Sequence, residues 1–140
     1  MKKNIYEIFD EFELATSKQE RIKVLQDNAS HYFLKFLKNA FDPNIQFYIN
    51  KFPDNYIEPD TFPGLRYAGI ESEIHKAYLF EKGNETADKL TPEKQNQLLV
   101  QLLESFEPRE ADFFVRMLSK NIKVKHLTIN LIKETFPTLL

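Results

Sequence analysis

The sequence predicts an all-α fold, a compact bundle of about seven helices forming a single domain over residues 1–140, on three observations. Apolar residues recur at a spacing near 3.6 from end to end. No segment alternates apolar and polar residues as a half-buried strand does. Helix start and stop signals punctuate the apolar runs.

Taken in order, Ile5, Ile8, Phe9 and Phe12 fall at i, i+3, i+4 and i+7, which predicts a first helix over about 3–14 with Glu7, Asp10, Glu11 and Glu13 on its wet side. Ser17 and Glu20 stand three apart as a capping box, so a second helix is expected over about 18–27 with Ile22, Val24 and Leu25 as its apolar positions. Ser30 caps a third helix. Its Tyr32, Phe33, Leu34, Phe36, Leu37, Ala40 and Phe41 cover so much of the circumference that a central position is expected. Asp42 and Pro43 read as an N-cap and a first-turn proline, opening a short helix with Ile45, Phe47, Tyr48 and Ile49.

From about 51 to 70 the pattern breaks into one long loop, interrupted by Pro53, Pro59, Pro63, Gly64 and Gly69, because proline lacks the N–H a helix needs. Phe52, Tyr56, Ile57, Phe62, Leu65 and Tyr67 predict that apolar anchors pin this loop to the surface. A helix over about 71–81 follows, with Ile74, Tyr78 and Leu79 inward and Gly83 supplying a left-handed stop. The polar run 81–89 reads as a mobile connection. Thr91, Pro92 and Glu93 start the strongest helix, apolar at Leu98, Leu99, Leu102, Leu103 and Phe106. Pro108 then marks the start of another with Phe113, Phe114, Val115, Met117 and Leu118. A basic turn over about 119–128 leads to a last helix, which begins near Thr128 and ends before Pro137.

Composition closes off several function classes. With 42% hydrophobic and 29% charged residues, 13 Phe and 6 Tyr, the chain is globular and not intrinsically disordered. Cys 0 removes disulfides, thiolate nucleophiles and cysteine zinc sites, and fits a cytoplasmic location. No run approaches the roughly 18 apolar residues that cross a bilayer, and the N-terminal residues lack the apolar stretch of a secretory signal, so neither membrane insertion nor export is expected.

Catalytic signals are equally sparse. The glycines follow Pro63, Ala68 and Lys82 and form no phosphate-cradling loop of the P-loop or dinucleotide type. His31, His75 and His126 lack metal-ligand spacing, and Asp54, Glu58 and Asp60 do not match an EF-hand. Phe33, Phe36, Phe41 and Phe47 sit at core spacing and not as a base-stacking platform, which leaves Arg66 and Tyr67 as the exposed candidates of the loop. The expectation is a non-enzyme with no cofactor and no metal.

The overall charge of −2 announces no nucleic-acid binder, but its distribution is polarised. Residues 111–140 carry Arg116, Lys120, Lys123, Lys125 and Lys133 against Asp112 and Glu134, whereas residues 52–88 carry eight carboxylates against Arg66, Lys76 and Lys82. In the connection from Ser119 to Thr128, Lys123 and Lys125 alternate just ahead of a helix start. Free backbone amides and a positive helix end there suit a phosphate.

Three stretches of the C-terminal third carry a resemblance: Glu107-Pro-Arg-Glu-Ala-Asp112, Leu118-Ser-Lys-Asn-Ile-Lys-Val-Lys-His-Leu-Thr128 and Leu131-Ile-Lys-Glu-Thr-Phe136-Pro-Thr-Leu-Leu140. They are similar to the end of the helical N-terminal domain of bacteriophage-type ATP-dependent DNA ligases. The layout of Ser17-Lys-Gln-Glu-Arg-Ile-Lys-Val-Leu-Gln26 and Phe47-Tyr-Ile-Asn-Lys-Phe-Pro53, followed by a proline-containing loop, resembles the same domain. The chain also resembles small free-standing tailed-phage proteins, through Ile8-Phe-Asp-Glu11, Phe41-Asp-Pro43, Leu98-Leu-Val-Gln-Leu-Leu-Glu-Ser105 and Leu131-Ile-Lys-Glu-Thr-Phe-Pro137.

The resemblance implies a domain that grips duplex DNA across the minor groove by backbone contacts, with the chemistry done elsewhere. The ligase nucleophile motif, Lys-x-Asp-Gly, is absent from this chain, so adenylate transfer is not expected. Carried over by position, Lys120, Asn121, Lys123, Lys125 and Thr128 form the DNA-facing turn, and Arg66 in the loop joins them as a DNA-binding candidate. His126 stands where the family commonly has a glycine in that turn, and Thr138 where it has the glycine of a terminal Pro-Gly-Leu. Two functions follow. The first is a non-catalytic duplex-DNA-binding accessory protein of a phage, acting in DNA replication, repair or transcription. The alternative is a phage adaptor that keeps the ligase-like fold and docks a host or phage protein through the acidic residues 52–73. Leu139, Leu140 and the aromatic loop also offer apolar surface for a homo-oligomer.

Overall fold

The computed structural model describes residues 3–60 and 67–140. Over those residues the periodicity resolves into eight α-helices and one 3-10 helix, against the seven or so helices expected. None of these helices is long and apolar enough to cross a membrane.

The first three helices fall where the spacing puts them: α1 (Ile5–Leu14), α2 (Lys18–Asp27) and α3 (His31–Phe41). Ser17 Oγ accepts from the Glu20 N–H at 3.2 Å. The Glu20 carboxylate reaches one residue further back than a reciprocal box requires, accepting from the Thr16 N–H at 3.0 Å. Ser30 caps α3 through the Phe33 N–H at 3.4 Å, and Phe33, Phe36 and Leu37 are wholly buried, as its central position demands. Phe9 of α1 meets Phe33 and Phe36 with ring centroids 5.8 Å away, and Phe113 at 5.2 Å. Phe113 belongs to α7 (Pro108–Leu118), so one aromatic cluster ties α1, α3 and α7 together.

The segment after α3 departs from the expected short helix. Asp42 is the C-cap of α3 and turns the chain by accepting the Asn44 N–H at 2.9 Å. Residues 46–48 then pair with 80–82: the Tyr48 N–H donates to Phe80 O and the Lys82 N–H to Gln46 O, both at 2.8 Å. These bonds engage the Tyr48 amide and the Gln46 carbonyl, which a helix over 43–49 would have used, so local capping yields to a distant partner.

The expected helix over 71–81 is a single α-turn, α4 (Ile70–Glu73), that tightens into a 3-10 helix (Ile74–Phe80). At three residues per turn Ile74, Ala77 and Phe80 share the buried face, and Tyr78 is turned outward, 43% exposed, in place of the inward position predicted at a 3.6 period. Gly83 supplies the left-handed stop at φ 91°. The run expected to be mobile contains α5 (Glu85–Lys89), started by Asn84 Oδ1, which accepts from the Thr86 and Ala87 N–H groups at 2.9 and 3.3 Å. Gln95, buried on α6 (Pro92–Glu104), donates to Ala87 O at 3.0 Å and holds α5 in place. Thr91 caps α6 through the Lys94 N–H at 3.1 Å, and Thr128 caps α8 (Ile129–Thr135) through the Leu131 N–H at 3.2 Å.

Glu110, 1% exposed at the start of α7, joins three helix starts. Its Oε1 accepts from the Tyr6 N–H at 3.1 Å and its Oε2 from the Ile70 N–H at 3.0 Å, so the orphan amides of α1 and α4 close on one carboxylate. Gly69 lies beside it. A Cβ there would stand 3.3 Å from Asn4 Oδ1, closer than ordinary contact, so the junction is built around a bare backbone.

In the long loop Phe52 and Tyr56 pack on the core and on each other, centroids 4.8 Å apart, while Ile57, predicted as an anchor, is 74% exposed. Tyr67 donates to Asp60 O. Phe62, Leu65, Pro63, Gly64 and Arg66 lie outside the described residues. Leu139 and Leu140 pack half-buried against the core, and Lys38 donates to Leu139 O at 3.0 Å.

Candidate nucleic-acid interface

The turn over 119–128 begins as the close of α7. The Ser119, Lys120 and Asn121 N–H groups return to Val115 O, Met117 O and Arg116 O, and the chain reverses with Lys120 at φ 61°. This reversal carries the Lys120 side chain inward. Its Nζ donates to Asn39 O, and to Asp42 O at 2.8 Å, satisfying the last carbonyls of α3. Burial holds its pKa below the ordinary lysine value, against the attraction of Asp42 and Glu81. Lys120 is therefore a helix cap, not part of the outer face assigned to it from the sequence.

Beyond Lys120 the pattern alternates. Ile122 and Val124 are 5% and 7% exposed and anchor the turn, while Asn121, Lys123, Lys125, His126 and Thr128 are exposed. Arg116 Nη1 donates to Ile122 O at 2.9 Å, and the Lys125 N–H donates to a Glu13 carboxylate oxygen at 3.3 Å, so both neighbouring helices hold the backbone. Among the described residues neither the Lys123 nor the Lys125 ammonium has an ion-pair partner. The turn thus groups four of the predicted residues, Asn121, Lys123, Lys125 and Thr128, and separates Lys120 from them. Arg66 lies outside the described residues.

Lys123 and His126 also have positive φ, 55° and 70°, in a stretch without a glycine. Left-handed backbone costs a residue with a Cβ about 1–2 kcal/mol, partly offset because glycine loses more entropy on folding. We expect His126→Gly to stabilise the fold by about 0.5–1 kcal/mol, read as a higher urea midpoint at unchanged slope. A lower midpoint would show that the imidazole makes up for the strain.

A cleft opens on each side of the turn. One, of ≈ 410 Å³, is lined by Asn50, Lys51, Phe52, Asp112, Arg116 and Lys123 among others. The other, of ≈ 270 Å³, is lined by Lys18, Arg21, His126, Thr128, Asn130 and Glu134 among others. Cations outnumber carboxylates in both, by three to one and by two to one, in a chain of net charge −2. Lys18 pairs with Glu134 at 2.8 Å, whereas Arg21 Nε is shut from solvent with no acceptor among the described residues. Nothing local in the sequence links Lys18, Arg21 or Lys51 to the turn, whereas Arg116 belongs to the basic stretch 111–140 and lies three residues before it. Among the described residues no three His, Asp or Glu side chains converge as a metal site would require.

Residues 8–124 match a protein family described as "Family of unknown function (DUF6433)". No curated protein matches the chain. Two solved structures, named Pmar-Lig_PreS3 and Pmar-Lig_Pre., share its fold. They superpose with TM-scores of 0.64 and 0.66 at 20% and 21% identity, each over 94% of this chain. The chain spans 29% of the length of either structure, so the likeness is to one part of a larger protein.

Proposed function

For a chain that belongs to the family of unknown function DUF6433, we propose that the turn over 119–128 binds duplex DNA through its phosphates, as a non-catalytic accessory of phage DNA replication, repair or transcription. One observation carries this reading: Lys123 and Lys125, unpaired among the described residues, project from a braced turn between two clefts in which cations prevail. Lysines act on phosphates as point charges, and the Asn121 amide and Thr128 hydroxyl add hydrogen-bond donors. With the turn set against a minor groove about 6 Å wide, one strand would lie toward each cleft. Phosphate contacts carry no sequence information, so discrimination among sequences is expected to be weak. The fold shared with the ligase structures and the resemblance of the C-terminal third support the same reading.

The test is fluorescence anisotropy of a labelled duplex across a salt series. Each phosphate contact contributes about 0.9 to the slope of log K against log salt, so a grip of about four contacts gives a slope near −3.6. Lys123→Ala/Lys125→Ala is expected to reduce that slope by about 1.8 in magnitude and to weaken binding roughly tenfold at physiological salt, with its urea midpoint unchanged. A folded double variant that binds as the wild type does would remove this site, and no binding at low salt would remove the DNA reading. That last outcome favours protein docking instead, which one observation supports: Ile57, 74% exposed, stands between the acidic residues Asp54, Glu58 and Asp60.

A further inference from the structure

The larger cleft beside the turn holds more than a backbone contact requires. Two segments distant in sequence build it: residues 50–52, and the continuous stretch 112–123 that runs from α7 into the turn. We propose that it binds a single nucleotide unit, with the phosphate held by Lys51, Lys123 and Arg116 and the base laid against Phe52.

The charge fits a phosphate. Among the lining residues Lys51, Lys123 and Arg116 face one carboxylate, Asp112, and with the exposed Asp54 beside Lys51 screened by solvent the balance stays positive opposite a phosphomonoester of about −1.5 to −2. Arg116 is already oriented. Its guanidinium pairs with Asp112 at 2.8 Å, donates to Ile122 O at 2.9 Å and lies over the Phe113 ring at 4.5 Å, so little of its freedom remains to be lost. Among the described residues the Lys51 ammonium has only Asp54 at 3.9 Å, a pair in which both side chains are largely exposed. Lys123 has no ion pair among the described residues.

The wall fits a base. Phe52 is half-buried and lines the cleft, and its aromatic contact with Tyr56 is edge-on, at 77°. The Asn50 and Asn121 side-chain amides make no hydrogen bond among the described residues, and each offers both donors and an acceptor to a base edge. A volume of ≈ 410 Å³ lies within the range of small-ligand clefts, about 300–1,000 Å³.

Calorimetric titration of the full chain at low salt tests this, using thymidine 5′-monophosphate, thymidine, inorganic phosphate and a four-residue oligothymidylate. The monophosphate is expected to bind more tightly than thymidine or phosphate. Lys51→Ala and Lys123→Ala should each weaken it about tenfold, and Phe52→Leu about fivefold while leaving inorganic phosphate unchanged. Tighter binding of the oligonucleotide assigns the site to a strand, and tighter binding of the monophosphate to a free nucleotide; either supports the proposal. A nucleotide that binds no better than phosphate overturns it, as does a Lys51→Ala protein with wild-type affinity. Because Lys51 is exposed, its removal leaves the fold intact. The proposal shares Lys123 and Asn121 with the duplex reading and rests on it only where the ligand is a strand. Duplex binding without nucleotide binding overturns this inference alone, and nucleotide binding without duplex binding overturns the other alone.

Discussion

Glu110→Ala is expected to cost about 3 kcal/mol and to lower the thermal midpoint by about 10 °C. The carboxylate is 1% exposed and closes the Tyr6 and Ile70 amides, so alanine leaves buried donors without partners and opens a void at the meeting of α1, α4 and α7. Glu110→Gln keeps one acceptor oxygen and turns an amide against the second N–H, which places its cost between the two, at about 1–2 kcal/mol. The pH dependence has a definite sign. Burial holds the Glu110 carboxyl above its ordinary value of 4.5, although the Ile70, Tyr6 and Ile5 amides pull it back. The folded state therefore binds this proton more tightly than the unfolded state does. The group's contribution to stability is greatest below about 4.5 and declines as pH rises through the folded value, then stays level. Subtracting the Glu110→Gln stability curve from that of the wild type isolates this decline. An alanine variant within 1 kcal/mol of the wild type would mean that the three helix starts hold together without the carboxylate.

Lys120→Ala is expected to cost about 2 kcal/mol, and to do so without changing the salt slope of duplex binding. Its amine closes the last carbonyls of α3, Asn39 O and Asp42 O, and the charge sits favourably at that helix end. Lys120→Met keeps the aliphatic stem and loses the amine, so it should recover only the packing part of the loss. The Lys123→Ala/Lys125→Ala protein should behave in the opposite way, with stability kept and the slope reduced. Chemical denaturation and anisotropy on the same proteins separate the two roles. A Lys120→Ala protein as stable as the wild type but with a smaller slope would put that amine on the DNA side.

The lysines of the turn mark how far the sequence reaches. Lys120, Lys123 and Lys125 are one chemical type within six positions, and composition and spacing treat them alike. Lys120 and Lys123 even share a left-handed backbone, φ 61° and 55°, and what separates them is that the end of α3 packs beside Lys120, whose amine closes Asn39 O and Asp42 O, while Lys123 stays exposed. Likewise Asp42 and Pro43 are sound helix-start signals, overruled by pairing with residues 80–82, some forty positions away. Tyr78 faces outward for a subtler reason. Its stretch turns with three residues per turn, which the apolar spacing alone does not distinguish from 3.6.

What the sequence determined by itself is whatever rests on neighbours within a few residues. The bounds of α2, the caps at Ser17, Ser30, Thr91 and Thr128, the stop at Gly83 and the burial of Phe9, Phe33 and Phe36 all belong to this class. These follow from hydrogen bonds and apolar faces set by helical geometry, which a linear chain already encodes. The tertiary structure decided which charges meet. It joined Lys51 to Arg116 and Lys123 in one cleft, set Glu110 under two helix starts it does not adjoin in sequence, and drew Lys120 inside. The reason is physical: a charge acts through space over several ångströms and through whatever dielectric surrounds it, and both are fixed only when the helices pack.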